Sequence, residues 1–254
     1  MKQLAAFLMT LALIIAASCG SGPGDTGRAK DKTKHESDTG YTGVKSYFTK
    51  DNVKVKEVEF RNGIKTGLTR TFYAGGVLEQ EIMYVDGKKN GEAKWFYPDA
   101  KLFRVTPYVN DTIDGSQIQY YKSGRVKAKI DYKEGKRLPG LEEYTINGQK
   151  VLDYPTLQYK VDDQYKEKGI CIIFIQMSDL SENVKYYRGD YVNGLVDLTG
   201  LSQLKQNATS GYLNLKKTPG QAADSVTVIA AYLTPYGNRL YYRKAIPLPH
   251  KDLN

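Results

Sequence analysis

The fold is decided by the segment Tyr84-Val85-Asp86-Gly87-Lys88-Lys89-Asn90-Gly91, which is followed by Trp95-Phe96-Tyr97. Its pattern recurs every 24 residues, so one aromatic position is shared by Phe60, Tyr84, Tyr108 and Tyr132. Three residues after each aromatic residue comes a turn position, occupied by Gly63, Gly87, Asp111 and Gly135. A fixed period of this length indicates stacked structural units and not an ordinary globular core.

Each unit is predicted to contain two strands and tight turns. A second glycine position, shared by Gly67, Gly91 and Gly115, is also assigned to a turn, because positive φ costs glycine nothing. The six residues after each of these glycines end in an aromatic pair, which is Phe72-Tyr73, Phe96-Tyr97 or Tyr120-Tyr121. A further turn contains Gly76, Ala100 or Gly124, and an alternating apolar run closes the unit.

One such hairpin cannot fold alone. Ordering a residue costs roughly 1–2 kcal/mol, whereas burial of each of a few apolar side chains returns only about 1.5–3 kcal/mol. We therefore expect an all-β chain with an elongated, twisted antiparallel meander, in which equivalent rings of neighbouring units pack as ladders. Weaker copies of the pattern at both ends are typical of the terminal units of a repeat array.

These residues resemble the MORN-like repeats of the YwqK-type antitoxin family. The resemblance covers about residues 41–150 and departs from the family pattern at Ala100 and Asp111, which replace glycines. It implies repeat architecture and, at the level of function, an antitoxin or immunity protein that neutralises a toxin by direct binding. MORN-like arrays also occur in scaffolds and lipid-proximal proteins.

The start of the chain predicts export and lipidation. Lys2 precedes an apolar run that is too short to span a bilayer, and Ala16-Ala17-Ser18-Cys19 resembles a bacterial lipobox. We expect residues 1–18 to be a lipoprotein signal peptide, Cys19 to carry the acyl groups, and residues 19–42 to form a polar, flexible tether. The predicted location is the cell envelope, with the outer membrane favoured. The alternative is a soluble secreted protein that is cleaved nearby.

A formal net charge of +9 would suit nucleic acid or anionic lipid headgroups, but the distribution of the charges does not indicate a nucleic-acid surface. Lysines and arginines alternate with acids along the predicted strands, as in Lys54-Val55-Lys56-Glu57, which is typical of a solvated sheet face. We expect no nucleic-acid partner. The alternative, a dedicated basic surface, requires the cations to cluster.

The 24-residue register stops near Tyr154, and longer apolar strands follow. We therefore predict a repeat sheet over residues 43–154 and a small β-sandwich of six or seven strands over residues 155–250. The runs from Ile170 to Ile175 and from Val226 to Leu233 are predicted to be central strands covered on both faces. The second run is expected to form a hairpin with residues 239–243. Cys171 is expected to be a buried thiol, with a reactive thiol as the alternative.

No catalytic, metal or cofactor site is predicted. The two histidines, His35 and His250, lie in segments where a rigid geometry is not expected, and with one thiol they cannot build a zinc site. The acidic pairs Asp162-Asp163 and Glu142-Glu143 and the single Asp190 are the remaining candidates for acid–base chemistry. Adjacent residues of a strand point to opposite faces, so these pairs are not expected to converge on one substrate.

Tyrosine, with 21 copies, is the distinctive side chain. Exposed aromatic rings bind partners at modest entropic cost, and the candidate binding face consists of Tyr73, Trp95, Tyr97 and Tyr121. The alternative for these residues is an internal ladder that supports the sheet. An internal ladder is favoured for Tyr84, Tyr108 and Tyr132.

Three functional hypotheses follow. The first is a non-catalytic, lipid-anchored envelope protein that binds a protein or an envelope component through its repeat sheet and sandwich. The second is the antitoxin or immunity protein that the resemblance implies, although an export signal suits only a toxin that arrives through the periplasm. The third, an envelope hydrolase acting on glycans, lacks a suitable set of residues.

Overall fold

The computed structural model describes residues 40–254, which are almost entirely β-structure. The predicted signal peptide, Cys19 and most of the predicted tether lie outside the described residues. The first sheet is an 11-stranded antiparallel meander. Its strands are β1 Gly43–Phe48, β2 Lys54–Arg61, β3 Ile64–Phe72, β4 Leu78–Val85, β5 Lys88–Phe96, β6 Leu102–Val109, β7 Thr112–Ile113, β8 Gly115–Tyr120, β9 Val126–Lys133, β10 Lys136–Arg137 and β11 Glu142–Glu143.

Two kinds of turn alternate along this sheet. The short hairpin turns have two consecutive residues with positive φ, as in Asn62-Gly63 and Asp86-Gly87, and the equivalent pairs are Asn110-Asp111 and Glu134-Gly135. Positive φ at both central residues is the type I′ geometry, whose twist matches that of the flanking strands. Asp111 adopts this conformation with φ of 69°, so the departure from glycine leaves the hairpin intact.

The longer turns close with the same backbone bonds five times. In each, the first residue donates its N–H to the carbonyl four residues later, as Tyr73 does to Val77 at 2.9 Å and Tyr97 to Lys101 at 2.7 Å. The fourth residue has positive φ in every copy, at Asn52, Gly76, Ala100, Gly124 and Gly148. The repeat therefore extends through the weak copies at both ends, as the sequence predicts.

The second glycine position is not a turn, and the prediction for it is wrong. Gly67 and Gly91 lie inside β3 and β5, directly opposite Tyr84 and Tyr108 on the next strand, and Gly115 faces Tyr132 in the same way. These glycines have φ between 87° and 107°. A Cβ on Gly115 would lie 3.2 Å from Pro107 Cγ, so a larger residue there would be strained and crowded.

One straight row of side chains supplies the core of the repeat sheet. Consecutive strands place these residues directly opposite one another, and all of them are buried: Val58, Thr69, Ile82, Ala93, Thr106, Gln117 and Ile130. Two of the polar residues in this row pair with each other, since Gln117 Nε2 donates to Thr106 Oγ1 at 3.0 Å. The opposite face of the sheet carries mixed charges, such as the Arg70–Glu81 pair at 2.8 Å.

The remaining strands form two four-stranded antiparallel sheets. Their elements are β12 Leu157–Gln164, α1 Tyr165–Lys168, β13 Ile170–Met177, β14 Val184–Arg188, β15 Ser202–Gln203, β16 Lys205–Gln206, β17 Ser210–Lys216, β18 Ser225–Leu233 and β19 Arg239–Pro247. One sheet has the order β12-β13-β17-β16 and the other β15-β14-β18-β19. Buried Leu204 lies where the chain passes from one sheet to the other. No helix within residues 40–254 has the length and apolar character needed to cross a membrane.

The two sheets share one hydrophobic core, which includes Cys171, Ile173, Tyr186, Val228 and Ile246. The predicted C-terminal hairpin is confirmed by the pairing of β18 with β19. The prediction that β13 is covered on both faces is wrong, because its burial alternates and Phe174 is 40% exposed. One open face per sheet is normal in an antiparallel sandwich. By contrast, β18 is buried at almost every position, as predicted.

A buried carboxyl group connects the repeat sheet to the sandwich. Glu143 of β11 is 0% exposed and accepts hydrogen bonds from the Thr234 hydroxyl at 2.8 Å, the Asn238 amide at 2.7 Å and the Tyr154 hydroxyl at 2.9 Å. Gln119 also donates to Asn238, at 3.0 Å. Burying a polar group is unfavourable unless its hydrogen bonds are made, and here both oxygens of the carboxyl group have donors.

Candidate functional site

The edge of the repeat sheet that carries the longer turns gathers the predicted binding residues. We call the turn edge the set of strand-ending aromatic residues Phe48, Phe72, Phe96, Tyr120 and Tyr144 together with the turn after each. Three of these rings lie directly opposite aliphatic side chains, in the pairs Phe72–Leu78, Phe96–Leu102 and Tyr120–Val126. All are half-buried except Phe48, which is 53% exposed. The turn edge is therefore an accessible, regularly spaced aromatic surface.

Tyr73, Tyr97 and Tyr121 each follow one of these residues and form a ladder of hydrogen bonds. The Tyr73 hydroxyl donates to the Phe96 carbonyl at 2.7 Å, Tyr97 to Tyr120 at 2.9 Å, and Tyr121 to Tyr144 at 2.7 Å. Each bond joins one repeat to the next over 23 residues of sequence. Burial raises the pKa of all three hydroxyls, so they remain protonated donors at neutral pH.

Trp95 lies beside this ladder, in register with Arg104 on β6. The guanidinium of Arg104 is centred 4.2 Å from the Trp95 ring, a cation–π geometry, and the ring is half-buried. The structure thus brings Tyr73, Trp95, Tyr97 and Tyr121 to one edge of one sheet. The three tyrosines take part in the internal ladder that was the alternative, whereas Trp95 packs against Arg104. All four rings are partly exposed, and the binding role stays a prediction.

The expected ring-on-ring ladder of Tyr84, Tyr108 and Tyr132 is replaced by other contacts. Within residues 40–254, close ring pairs join Tyr41 with Phe60, Tyr97 with Phe103, and Tyr165 with His250, and none of these pairs links equivalent positions. Instead, Lys65 lies 5.5 Å from the Tyr84 ring centre and Lys89 lies 4.9 Å from that of Tyr108. The 24-residue spacing correctly predicts that these tyrosines have equivalent environments. Successive rings do not stack on one another, because they lie two strands apart in the sheet.

Several cations lie at the C-terminal end of the turn edge. Lys122 lies 5.6 Å from the Tyr97 ring centre and Lys127 lies 6.0 Å from that of Tyr121. A cavity of about 440 Å³ lies beside them, lined by Ile118, Val126 and Tyr144 with the cations of Arg125 and Lys129. The turn edge can therefore offer apolar, aromatic and cationic contacts to one partner.

Sequence reasoning missed a polar cluster at the C-terminal tail. His250 stacks on Tyr165 with ring centres 3.9 Å apart, and its Nε2 lies 2.9 Å from Asp163 Oδ2. The Tyr165 hydroxyl donates to Asp252 at 2.6 Å. The expectation that His250 lacks a fixed geometry is therefore wrong. The aromatic residue at Tyr165 and the acids on either side were the only available signal, and they are about 87 residues away from the tail in sequence.

The acidic pairs diverge, as strand geometry predicts. Asp163 contacts His250, whereas Asp162 accepts from Gln164 at 2.8 Å. Glu142 pairs with Lys150 at 3.1 Å on the surface, while Glu143 is buried. Asp190 forms a bidentate pair with Arg243, which lowers the pKa of its carboxyl group.

Within residues 40–254, no group of three or more His, Cys, Asp or Glu side chains is arranged to bind a metal ion. Cys171 is a free, fully buried thiol, as predicted. Burial raises its pKa, which keeps the thiol protonated.

Two segments of the repeat sheet, residues 65–86 and 113–134, match the family described as MORN repeat variant. Each segment spans one of the longer turns and the strands on either side of it, at equivalent places in the array. The repeat sheet therefore contains MORN-like repeats at these two places. No curated protein matches it.

Proposed function

We propose that this chain is a non-catalytic binding protein of the bacterial cell envelope, anchored by acyl groups on Cys19, which binds another protein through the turn edge. The observation that carries the proposal is the regular aromatic edge, where successive repeats present equivalent half-buried rings. Two strands per repeat place these rings about 10 Å apart. Such spacing suits an extended or modular protein partner that makes the same contact more than once.

Rigidity supports this role. The hydroxyl ladder fixes each aromatic pair to the following repeat, and the Glu143 network fixes the array to the sandwich. A surface that is ordered before binding loses less conformational entropy on association. Tyr, which the turn edge presents at positions 73, 97, 120, 121 and 144, is also among the residues most enriched at interface hot spots.

Site-specific photo-crosslinking tests the location of binding. A photoreactive phenylalanine analogue replaces Lys101, an exposed residue of the turn edge, and in a control it replaces Lys88, an exposed residue at the hairpin turns on the opposite edge. We expect a specific crosslinked partner at position 101 and none at position 88. Equal crosslinking at both positions, or none at position 101, would contradict binding through the turn edge.

The anchoring component is tested separately by fractionation of the Cys19→Ser variant. Loss of the acylated cysteine removes the hydrophobic anchor, so the variant is expected in the soluble periplasmic or secreted fraction. Unchanged membrane association would exclude the lipid anchor and leave the binding proposal intact.

An antitoxin or immunity role is the alternative, favoured by the resemblance to the YwqK-type family. It uses the same direct binding and differs only in the partner. A crosslinked partner that is toxic when produced without this chain, and harmless with it, would establish this role in place of a structural one.

A further inference from the structure

The open face of the sandwich sheet β12-β13-β17-β16 carries a cavity that the repeat array does not explain. Its volume is about 770 Å³, within the range of small-ligand sites. Phe174 lines it and is 40% exposed, although most large apolar residues of β13 are buried. Cross-strand pairing places Phe174 between Lys160 on β12 and Tyr212 on β17. An aromatic ring on a solvent-facing sheet offers a flat surface for stacking.

Amide groups with fixed orientation surround this ring. The Ser210 hydroxyl donates to Gln176 Oε1 at 3.3 Å, which leaves the Gln176 amide N–H groups for other acceptors. Asn207 Oδ1 accepts from the backbone N–H groups of Thr209 and Ser210, at 3.1 and 2.8 Å, so its own NH₂ group is likewise a donor. Both side chains line the cavity. Donors held by existing hydrogen bonds lose little entropy when a ligand binds.

The cavity also offers acceptors and has balanced charge. Asp162 uses Oδ2 to accept from Gln164 and keeps Oδ1 as an acceptor, and the neighbouring Gln158 amide offers both functions. Lys160 and Asp162 are the charged residues of the lining, so their charges cancel. The lining therefore matches an uncharged ligand that has an apolar face and a rim of groups that both donate and accept hydrogen bonds.

We propose that this cavity binds a neutral glycan, with one sugar ring stacked on Phe174 and its hydroxyl groups bound by Gln176, Asn207 and Asp162. A pyranose ring combines a C–H face with a rim of hydroxyl groups, each of which donates and accepts. The lining has no net charge, so a charged ligand gains no electrostatic advantage over a neutral one. Acyl chains are disfavoured by the amides. This site is separate from the turn edge and does not depend on the proposed protein-binding role.

Binding is measured with the full chain in detergent micelles, by calorimetric titration with short neutral oligosaccharides of glucose, mannose, galactose and N-acetylglucosamine. A uronate-containing oligosaccharide provides the acidic comparison. We expect at least one neutral series to bind with a Kd in the millimolar range or tighter, and more tightly than the acidic one. Phe174→Ala should weaken this binding about tenfold or more, because the stacking surface is lost.

Two variants serve as controls. Gln176→Ala removes a rim donor without changing the ring and should also weaken binding. Tyr41→Ala removes an equally exposed aromatic ring that lies next to β1 and outside the turn edge, and should leave glycan binding unchanged. Circular dichroism checks that each variant is folded. Absence of binding across the neutral panel, wild-type affinity in Phe174→Ala, or binding of extended peptides along the edge strand β12 in place of sugars would overturn the proposal. The Lys101 crosslink is expected in all of these variants.

Discussion

Single hydroxyl groups connect the repeats of this protein. Each of Tyr73, Tyr97 and Tyr121 forms one hydrogen bond to a backbone carbonyl of the next unit. The aromatic pairs could be found from the sequence, because two rings at a fixed period are conspicuous. The sequence did not show which ring of each pair bonds to the backbone. The register shifts next to Phe72, Phe96 and Tyr120 determine where each hydroxyl points.

Tyr97→Phe measures one rung of the ladder. The variant keeps the ring and loses the bond to the Tyr120 carbonyl, so we expect a loss of about 0.5–1.5 kcal/mol in the free energy of unfolding, measured with urea. The site is only half-buried, so the lower part of this range is expected. Tyr132→Phe is the control, because the Tyr132 hydroxyl has no hydrogen bond among residues 40–254. An equal loss in both variants would argue against the ladder.

Cys171 should be inert in the folded chain. Burial raises the pKa of its thiol, so the reactive thiolate is scarce at pH 8 and reagents have no access to it. In a Cys19→Ser background, Ellman's reagent is expected to react only after urea is added. Ser46→Cys, at an exposed position of β1, is the positive control and should react at once. Rapid labelling of Cys171 in the native chain would contradict its assignment to the core.

At the scale of the element, the repeated hairpin could be predicted from the sequence. The structural roles of its glycines could be predicted only in part. Gly87 was correctly assigned to a turn, because Asp-Gly between alternating runs is a strong hairpin signal. Gly91 was assigned to a second turn but lies within β5 opposite Tyr108. Both environments require positive φ, and a single sequence does not distinguish a turn from a strand position facing a large ring.

Repeat architecture predicts that whole units are removable. Deletion of residues 80–103, which are 24 residues, joins equivalent positions of β4 and β6, so the register of all remaining pairs is kept. We expect a folded protein with native-like circular dichroism and reduced stability, because one set of neighbour contacts is lost. Deletion of residues 80–102 is the control. It shifts alternation by one residue and moves each side chain to the opposite face, so it should not fold. Similar behaviour of the two deletions would contradict a modular array.

At the scale of the whole molecule, the junction between the repeat sheet and the sandwich depends on contacts that the sequence did not reveal. The Glu143 partners Thr234 and Asn238 lie 91 and 95 residues further along the chain. Glu142, which differs only in the face to which it points, is on the surface. The fold class of the sandwich could be predicted because its strands are long and apolar. The side-chain pairing between distant segments could not be predicted from the sequence.

Glu143→Ala should uncouple the two parts. It leaves Thr234, Asn238 and Tyr154 without their buried acceptor, and we expect a loss of about 3 kcal/mol in the free energy of unfolding. Scanning calorimetry should show two separate transitions in the variant and one in the wild type. Glu142→Ala, which removes only a surface ion pair, is expected to change stability little. A single, unshifted transition in Glu143→Ala would exclude the coupling role.

A second junction contact should give a pH signature. The Lys136 ammonium lies 2.7 Å from Asp197 Oδ2, and its hydrogen bond lowers the pKa of this carboxyl group from 3.8 to about 2. Because the folded pKa is below the unfolded one, the contribution is present above about pH 4 and disappears as the pH falls to about 2. Asp197→Asn should therefore reduce stability at pH 6 but not at pH 2, as measured by urea unfolding. A difference that persists at pH 2 would point to another cause.

The direction of the hydroxyl ladder has a consequence for biosynthesis. Every tyrosine donor is synthesised 23 residues before the carbonyl that it binds, so each bond of the ladder requires the next unit to be present. Two of the donors to the Glu143 carboxyl group, Thr234 and Asn238, are synthesised much later, 91 and 95 residues after it. A nascent chain can thus extend its meander step by step, while the final attachment to the sandwich waits until synthesis is nearly complete.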